Sequence, residues 1–152
     1  MIRIAETDFD PAAELAAFLA ACPAEAGGIA SFVGLVRGGG PAGITALTLE
    51  HYPGMTERLL AAIEAEALAR WTLAGSLIVH RVGRMLPGTA VVLVATASAH
   101  RAAALESCQF LIDWLKTKAP FWKLEETASG PRWVEPRASD EAAAACWGPP
   151  AG

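Results

Sequence analysis

The segment Ala90–Ala97 constrains the fold most strongly, because it is apolar at almost every position. A strand with one solvated face alternates apolar and polar side chains, whereas a strand buried on both faces reads as a continuous apolar run. This segment is therefore predicted to lie in the centre of a sheet. The fold must therefore place a neighbouring strand on each side of this segment.

Apolar patterns and breaker residues predict the elements around that strand. Asp10 and Pro11 suit the N-cap and first position of a helix, and Pro120 must end another. Further strands are expected over 29–36, 44–51, 76–82, 121–127 and 132–135, and helices over 11–22, 56–70 and 98–119. Pairs of strands between single helices predict an α+β fold on a mainly antiparallel sheet. We expect one catalytic domain over 1–137 and a flexible tail over 138–152.

Composition excludes several classes of protein. With 152 residues, 53% hydrophobic and 18% charged, the chain is long and apolar enough to bury a core. The net charge of -4 argues against nucleic-acid binding, and no apolar run approaches the length of a membrane span. Cys22, Cys108 and Cys146 are widely spaced, which predicts neither disulfides nor a metal site. A cytoplasmic protein is expected.

All three lysines of the chain, Lys116, Lys118 and Lys123, lie within nine residues, while every other basic residue is arginine. Lysine can lose its proton when partly buried and arginine cannot, so the cluster suggests an amine that attacks or accepts a proton. Alternatively, cations simply favour the end of a helix dipole. The corner at Pro120 can turn Lys116 and Lys123 towards one pocket, whereas Lys118 is expected to point elsewhere.

Two further groups of residues are candidates for anion binding. His100 and Arg101 open a predicted helix, where free backbone N–H groups and an arginine can hold a phosphate. The alternative is a local cap beside a solvated arginine. Arg37 ends a strand beside the glycine-rich loop 38–43, which suits either a ligand clamp or ordinary surface.

The remaining polar residues give weaker signals. His51 and His80 have no partners at metal-ligand spacing and are predicted to be structural histidines. Glu125 and Glu126 are adjacent on a strand, so they should face opposite sides and not act as a pair. We find no serine–histidine–acid or cysteine–histidine pattern. Nucleophilic or proton-transfer chemistry would therefore fall to the lysines.

Five segments together resemble the large, catalytic subunit of molybdopterin synthase. They are Leu49–Met55, His80–Gly83, Ser98–Arg101, Leu115–Lys123 and Arg132–Glu135. The resemblance implies a sulfurtransferase of molybdenum cofactor biosynthesis, which converts cyclic pyranopterin monophosphate to the molybdopterin dithiolene. The sulfur would arrive as a thiocarboxylate on the C-terminus of a small ubiquitin-like partner subunit, whose tail enters a pocket of the large subunit.

The resemblance also implies an assembly, a fold and site residues. Large subunits form a homodimer within a heterotetramer, the fold is an α/β hammerhead with an added antiparallel subdomain, and the step needs no metal or other cofactor. Lys116 and Lys123 match catalytic lysines, and Arg37, His100 and Arg101 match pterin- and phosphate-binding residues. Substrate-site segments correspond to Leu35, Val36 and Arg37 and to Lys123, Leu124 and Glu125. Arg137 matches a basic residue that reaches the neighbouring subunit's pocket.

Two other functions are compatible with parts of the sequence. A phosphate-binding hydrolase could use His100 and Arg101, and a non-catalytic module could dock a ubiquitin-like protein. Docking does not require lysine in place of arginine, so the lysine cluster favours an enzyme over a docking module.

Overall fold

The computed structural model describes residues 1–39, 43–135 and 138–148. Its elements, in chain order, are β1 (Ile2–Ala5), α1 (Pro11–Ala21), β2 (Gly28–Leu35), β3 (Ile44–Glu50), α2 (Met55–Arg70), β4 (Gly75–Arg81), β5 (Gly83–Met85), β6 (Ala90–Ser98), α3 (Arg101–Thr117), β7 (Trp122–Thr127), β8 (Gly130–Val134) and α4 (Ala138–Ala145).

The first sheet has the strand order β1-β4-β6-β2. The apolar strand β6 lies between β4 and β2 and is antiparallel to both, while β1 at the edge runs parallel to β4. The central position predicted for β6 is therefore confirmed.

Helices cover both faces of this sheet. Phe18 of α1 packs on one face, against Leu77, Val79 and Leu93. On the other face, α2 and α3 pack against Ile78 and Val94. Because side chains alternate along a strand, successive residues of β4 and β6 enter different layers, and both layers require apolar residues.

The second sheet is antiparallel and has the order β5-β3-β7-β8. Its inner face contributes Leu47, Leu49 and Met85 to a small core that also holds Val36, the residue that follows β2. The hairpin of β7 and β8 has the antiparallel pairing that the sequence predicted. The α+β class with mainly antiparallel sheets is confirmed.

Three elements differ from the sequence prediction. The short strands β1 and β5 were not predicted, since four and three residues are too few to show a period. Residues 138–145, which belong to the expected tail, form the helix α4. Trp147 follows that helix, packs on Trp71 and Phe110, and donates a hydrogen bond of 2.8 Å to Asp113 Oδ2.

Candidate functional site

A cavity of about 540 Å³ lies where the end of β2, the C-terminal half of α3 and the inner face of the second sheet meet. Its apolar wall includes Phe32, Leu35, Val36, Leu47, Leu49, Val92, Val94, Ile112, Leu115 and Phe121. Among the described residues, the charged lining consists of Arg37, Lys116, Lys123, Glu125, Glu135 and Asp140. An apolar cleft of this size with a few convergent charges has the character of a small-molecule site.

The two lysines of the proline corner both line this cavity. Lys116 lies in the last turn of α3, and its Nζ is 3.4 Å from Oδ1 of Asp140 in α4. Lys123 lies on β7, and its Nζ is 3.6 Å from Oε1 of Glu125. The side chains are about half exposed, 53% for Lys116 and 41% for Lys123, so each amine can reach a ligand in the cavity.

Glu125 is the most buried charged residue of the site, at 4% exposure. Its Oε2 accepts hydrogen bonds of 3.2 and 2.9 Å from Nε and Nη2 of Arg132. Burial alone would raise the pKa of Glu125, but the hydrogen bond from Arg132 and the charges of Lys123 and Arg132 outweigh it, so the pKa is lowered. Glu125 is thus an ionised carboxylate held between two cations.

The neighbouring acid, Glu126, faces the other side of the second sheet. It pairs with Arg84 through two contacts of 2.8 Å and does not line the cavity. The prediction that Glu125 and Glu126 face opposite sides is confirmed.

Lys118 does not line the cavity. Its Nζ lies 3.3 Å from the centre of the Trp114 ring, in a cation–π contact. Two of the three lysines near Pro120 therefore line the cavity, and the third packs against an aromatic ring.

The segment Leu35–Arg37 lines the cavity at the end of β2, with Val36 buried and Leu35 and Arg37 exposed. Leu124 lies between two lining residues of β7, but its own side chain is not part of the lining. It pairs with Thr48 and Trp133 on the outer face of the sheet. Strand alternation explains why the contiguous segment 123–125 contributes alternate side chains.

His100 and Arg101 lie at the opposite end of α3 from Lys116. Arg101 precedes Lys116 by fifteen residues in one helix, which at 1.5 Å per residue separates them by about 22 Å along the axis. Both are exposed and neither lines the cavity. A single chain therefore does not bring these two residues to the cavity that Arg37 lines. Arg137 lies outside the described residues.

His80 was predicted to be structural, yet its ring lines the cavity. The ring stacks on Phe121, with centroids 4.0 Å apart and planes inclined by 15°. Nδ1 lies 3.1 Å from the carbonyl oxygen of Arg81. Burial lowers the pKa of His80 to about 4, so the imidazole is neutral at pH 7. The sequence signal for this position was only the motif His80–Gly83, because its cavity neighbours come from β6 and from the corner after α3.

No group of three or more His, Cys, Asp or Glu side chains among the described residues is arranged to hold a metal ion. Over the same ranges, none of the helices has the length and apolar character needed to cross a membrane. The three cysteines are free thiols, and none of them lines the cavity.

Residues 4–118 match the protein family described as MoaE protein. A relative from Ralstonia nicotianae, named molybdopterin synthase catalytic subunit, is 51% identical over 148 residues, which cover 97% of this chain and 84% of the relative. The solved structure of a molybdopterin biosynthesis MoaE protein from Burkholderia ambifaria has a TM-score of 0.80 and 52% identity, and the match covers 97% of each chain. A structure from Helicobacter pylori, described as a complex of subunits 1 and 2 of molybdopterin-converting factor, has a TM-score of 0.75 at 23% identity over 90% of this chain and 91% of that one. That last likeness shows a shared fold.

Proposed function

Because the chain belongs to the MoaE protein family, we propose that it is the catalytic subunit of a molybdopterin synthase, a sulfurtransferase that acts on cyclic pyranopterin monophosphate. The observation that carries this proposal is the placement of Lys116 and Lys123 on one cavity, on either side of the corner at Pro120. Two amines at one apolar cleft suit a reaction that moves protons and creates negative charge.

The lining of the cavity supports a flat heterocyclic substrate with an anionic group. Phe32, Val92 and Phe121 offer apolar surface, and Arg37 and the two lysines offer positive charge. The second reactant is anionic as well, since a thiocarboxylate carries a negative charge at neutral pH. Cations around a partly enclosed cleft attract both reactants.

We assign the sulfur donor to the C-terminal thiocarboxylate of a small ubiquitin-like subunit. Its sulfur attacks a substrate carbon, where a C–S bond forms as a C–O bond breaks and the displaced oxygen takes up a proton. Water then hydrolyses the acyl–sulfur bond, which leaves a thiolate on the pterin and a carboxylate on the donor. Repetition of this transfer gives the dithiolene. The name of the Ralstonia nicotianae relative supports a second subunit, since a protein called a catalytic subunit belongs to a larger enzyme.

Lys116 is the residue proposed for proton transfer or for polarising the thiocarboxylate carbonyl. Its 3.4 Å contact with Asp140 is long for a charge-assisted hydrogen bond, so the amine can turn towards a ligand at little cost. Lys123 is held beside the ionised Glu125 and is proposed to stabilise the developing oxyanion.

We propose further that His100 and Arg101 act in the cavity of a second copy of the chain. Neither can reach the cavity of its own chain, since the length of α3 separates them from Lys116. In a twofold dimer each copy can supply its exposed helix start to the other's site. The phosphate would then be held by Arg37 of one chain and by His100 and Arg101 of the other.

The proposal includes a cytoplasmic location, as the sequence predicted. Three unpaired cysteine thiols agree with a reducing compartment.

Reconstitution tests the proposed function. The purified chain is mixed with a thiocarboxylated partner subunit and cyclic pyranopterin monophosphate, and the dithiolene product is measured. Lys116→Arg keeps the charge but removes the titratable amine, and we expect a loss of turnover of about 100-fold. Lys118→Arg is the matched control and should retain wild-type turnover, since Lys118 contacts Trp114 outside the cavity.

Two results would contradict this assignment. Normal dithiolene formation by a folded Lys116→Arg variant would remove the proposed role of Lys116. Release of phosphate from the pterin without any sulfur donor would instead indicate a hydrolase.

A further inference from the structure

His80 has a place in the cavity that the proposed mechanism leaves unused. Its strand β4 pairs with β6, which sets His80 directly opposite Val92. Val92 in turn lies opposite Gly34 of β2. These three positions form one row across the sheet, and all of them line the cavity. The row is a floor that is apolar apart from the imidazole.

The hydrogen-bond geometry fixes the tautomer of this ring. A carbonyl oxygen can only accept, so the 3.1 Å contact with the Arg81 carbonyl places the proton on Nδ1. Nε2 is then an unprotonated acceptor. Within the described residues, Nε2 has no hydrogen-bond partner. Three side-chain polar atoms there are fully enclosed and lack a partner, and Nε2 is not one of them. It is therefore open to the cavity that the ring lines.

A structural role alone does not explain a histidine at this position. Stacking on Phe121 needs only a flat ring, which phenylalanine would supply without a polar atom. An acceptor that is open to the cavity can pair with water, so a ligand that displaces the water must offer a donor in its place. Burial keeps the ring neutral, so the acceptor is present at neutral pH.

We propose that His80 is a specificity-determining residue of the cavity, whose Nε2 accepts a hydrogen bond from an N–H or O–H group of the bound heterocycle. This inference rests on the proposed function, in which the heterocycle is the pterin of cyclic pyranopterin monophosphate. Pterin rings carry N–H groups along their edges, and an apolar floor with one acceptor would select a ring that presents a donor there.

Binding measurements on ring variants test the inference. His80→Phe keeps a ring for Phe121 and removes Nε2, and we expect the Kd for cyclic pyranopterin monophosphate to rise about tenfold. The KM should rise by a similar factor while kcat stays within about twofold, because the lost contact is the same in the ground state and the transition state. His80→Gln returns an acceptor and should bind within about threefold of the wild type.

His51→Phe is the matched control, because the charge of His51 influences His80 but His51 does not line the cavity. Its Kd should equal that of the wild type. A folded His80→Phe variant that binds the pterin as tightly as the wild type would overturn the inference. So would an equal loss in His51→Phe, since the effect would then not belong to the cavity acceptor.

A second measurement needs no substitution and covers the case in which His80→Phe does not fold. In the ¹⁵N-labelled wild-type chain, the signal of the unprotonated imidazole nitrogen of His80 should move towards the protonated value when the cyclic pterin is added. An unchanged signal at saturating pterin would refute the contact. A wild-type chain that fails to bind the pterin overturns the proposed function as well, whereas dithiolene formation with an unaffected His80 overturns this inference alone.

Discussion

At the scale of single residues, His80 shows how burial sets a charge state. The unfolded chain protonates this ring near the ordinary pKa of 6.5, whereas the folded chain resists protonation down to about 4. Between these values the unfolded state binds more protons, so stability falls as the pH is lowered. The difference of about 2.5 pKa units corresponds to a loss of about 3 kcal/mol by pH 4.

We therefore expect the unfolding free energy of the wild type, measured relative to that of a His80→Phe variant, to fall by about 3 kcal/mol between pH 7 and pH 4. Other titrating groups, including Glu125, are common to both proteins and cancel in the comparison. Urea unfolding of both chains at pH 7, 5 and 4 measures the difference. Parallel pH dependence of the two proteins would show that the folded state does not depress the pKa of His80.

Glu125 is the second residue whose burial has a measurable consequence. It accepts two hydrogen bonds from Arg132 and holds Lys123 at the cavity. Glu125→Gln leaves the shape but removes the charge, which should cost about 1–3 kcal/mol of stability and lower turnover by at least tenfold because Lys123 loses its position. Urea unfolding and dithiolene assays measure these effects.

The adjacent Glu126 supplies the control for that substitution. Glu126 lies on the outer face of β7, where it pairs with Arg84 of β5. Glu126→Gln should leave turnover unchanged, since an exposed ion pair contributes little and does not reach the cavity. If Glu125→Gln and Glu126→Gln lowered turnover equally, the effect would not depend on which face of β7 the side chain occupies.

At the scale of elements, the sequence predicted those with a clear pattern. The apolar run of β6 predicted a central strand, and Asp10 with Pro11 marked the start of α1, where the aspartate accepts a hydrogen bond of 2.8 Å from the amide of Ala12. The edge strands β1 and β5 have too few residues for a period to show, and α4 is alanine-rich with no strong apolar stripe. Such elements are ordered by tertiary contacts that one local segment does not reveal.

Close packing between β2 and β6 at Gly34 could not be predicted from the sequence of β2. Gly34 lies opposite Val92, and a Cβ added there would be 2.8 Å from Cγ1 of that valine. Val92 has a branched, stiff side chain and cannot turn aside without leaving its rotamer. The absence of a side chain at Gly34 thus keeps the floor of the cavity in place.

Gly34→Ala should therefore destabilise the chain by about 1–3 kcal/mol, because the added methyl group overpacks the contact with Val92. In a Val92→Ala background the same substitution should cost less, because the clashing methyl group is gone. A double-mutant cycle of urea unfolding measures this coupling. Additive effects of the two substitutions would contradict a direct contact between the positions.

At the scale of the whole molecule, α3 carries both halves of the proposed site at its two ends. The family resemblance placed Lys116, His100 and Arg101 in one site, because matching residues indicate shared chemistry but carry no distances. The helix places these groups about 22 Å apart, and within the described chain only the lysine end meets the cavity. Two copies of the chain can combine the ends that one copy keeps apart.

Mixed dimers test this arrangement directly. Lys116→Ala and Arg101→Ala should each be nearly inactive alone. The first variant lacks the amine, and the second lacks a contact to the phosphate. When the two variants are unfolded together and refolded, random pairing makes half of the dimers mixed. Each mixed dimer then holds one complete site, built from Lys116 of one chain and Arg101 of the other, so about a quarter of the wild-type dithiolene activity should return in a twofold assembly.

The same mixing separates a shared site from a self-contained one. If Arg101 acted on the cavity of its own chain, every chain in the mixture would carry one defect, and no dimer could hold a complete site. Recovered activity therefore requires a site completed across the dimer, and its absence in a mixture shown to contain mixed dimers would exclude one. Mass spectrometry of variants that differ in an added affinity tag establishes the content of mixed dimers. A wild-type chain taken through the same unfolding and refolding supplies the reference activity.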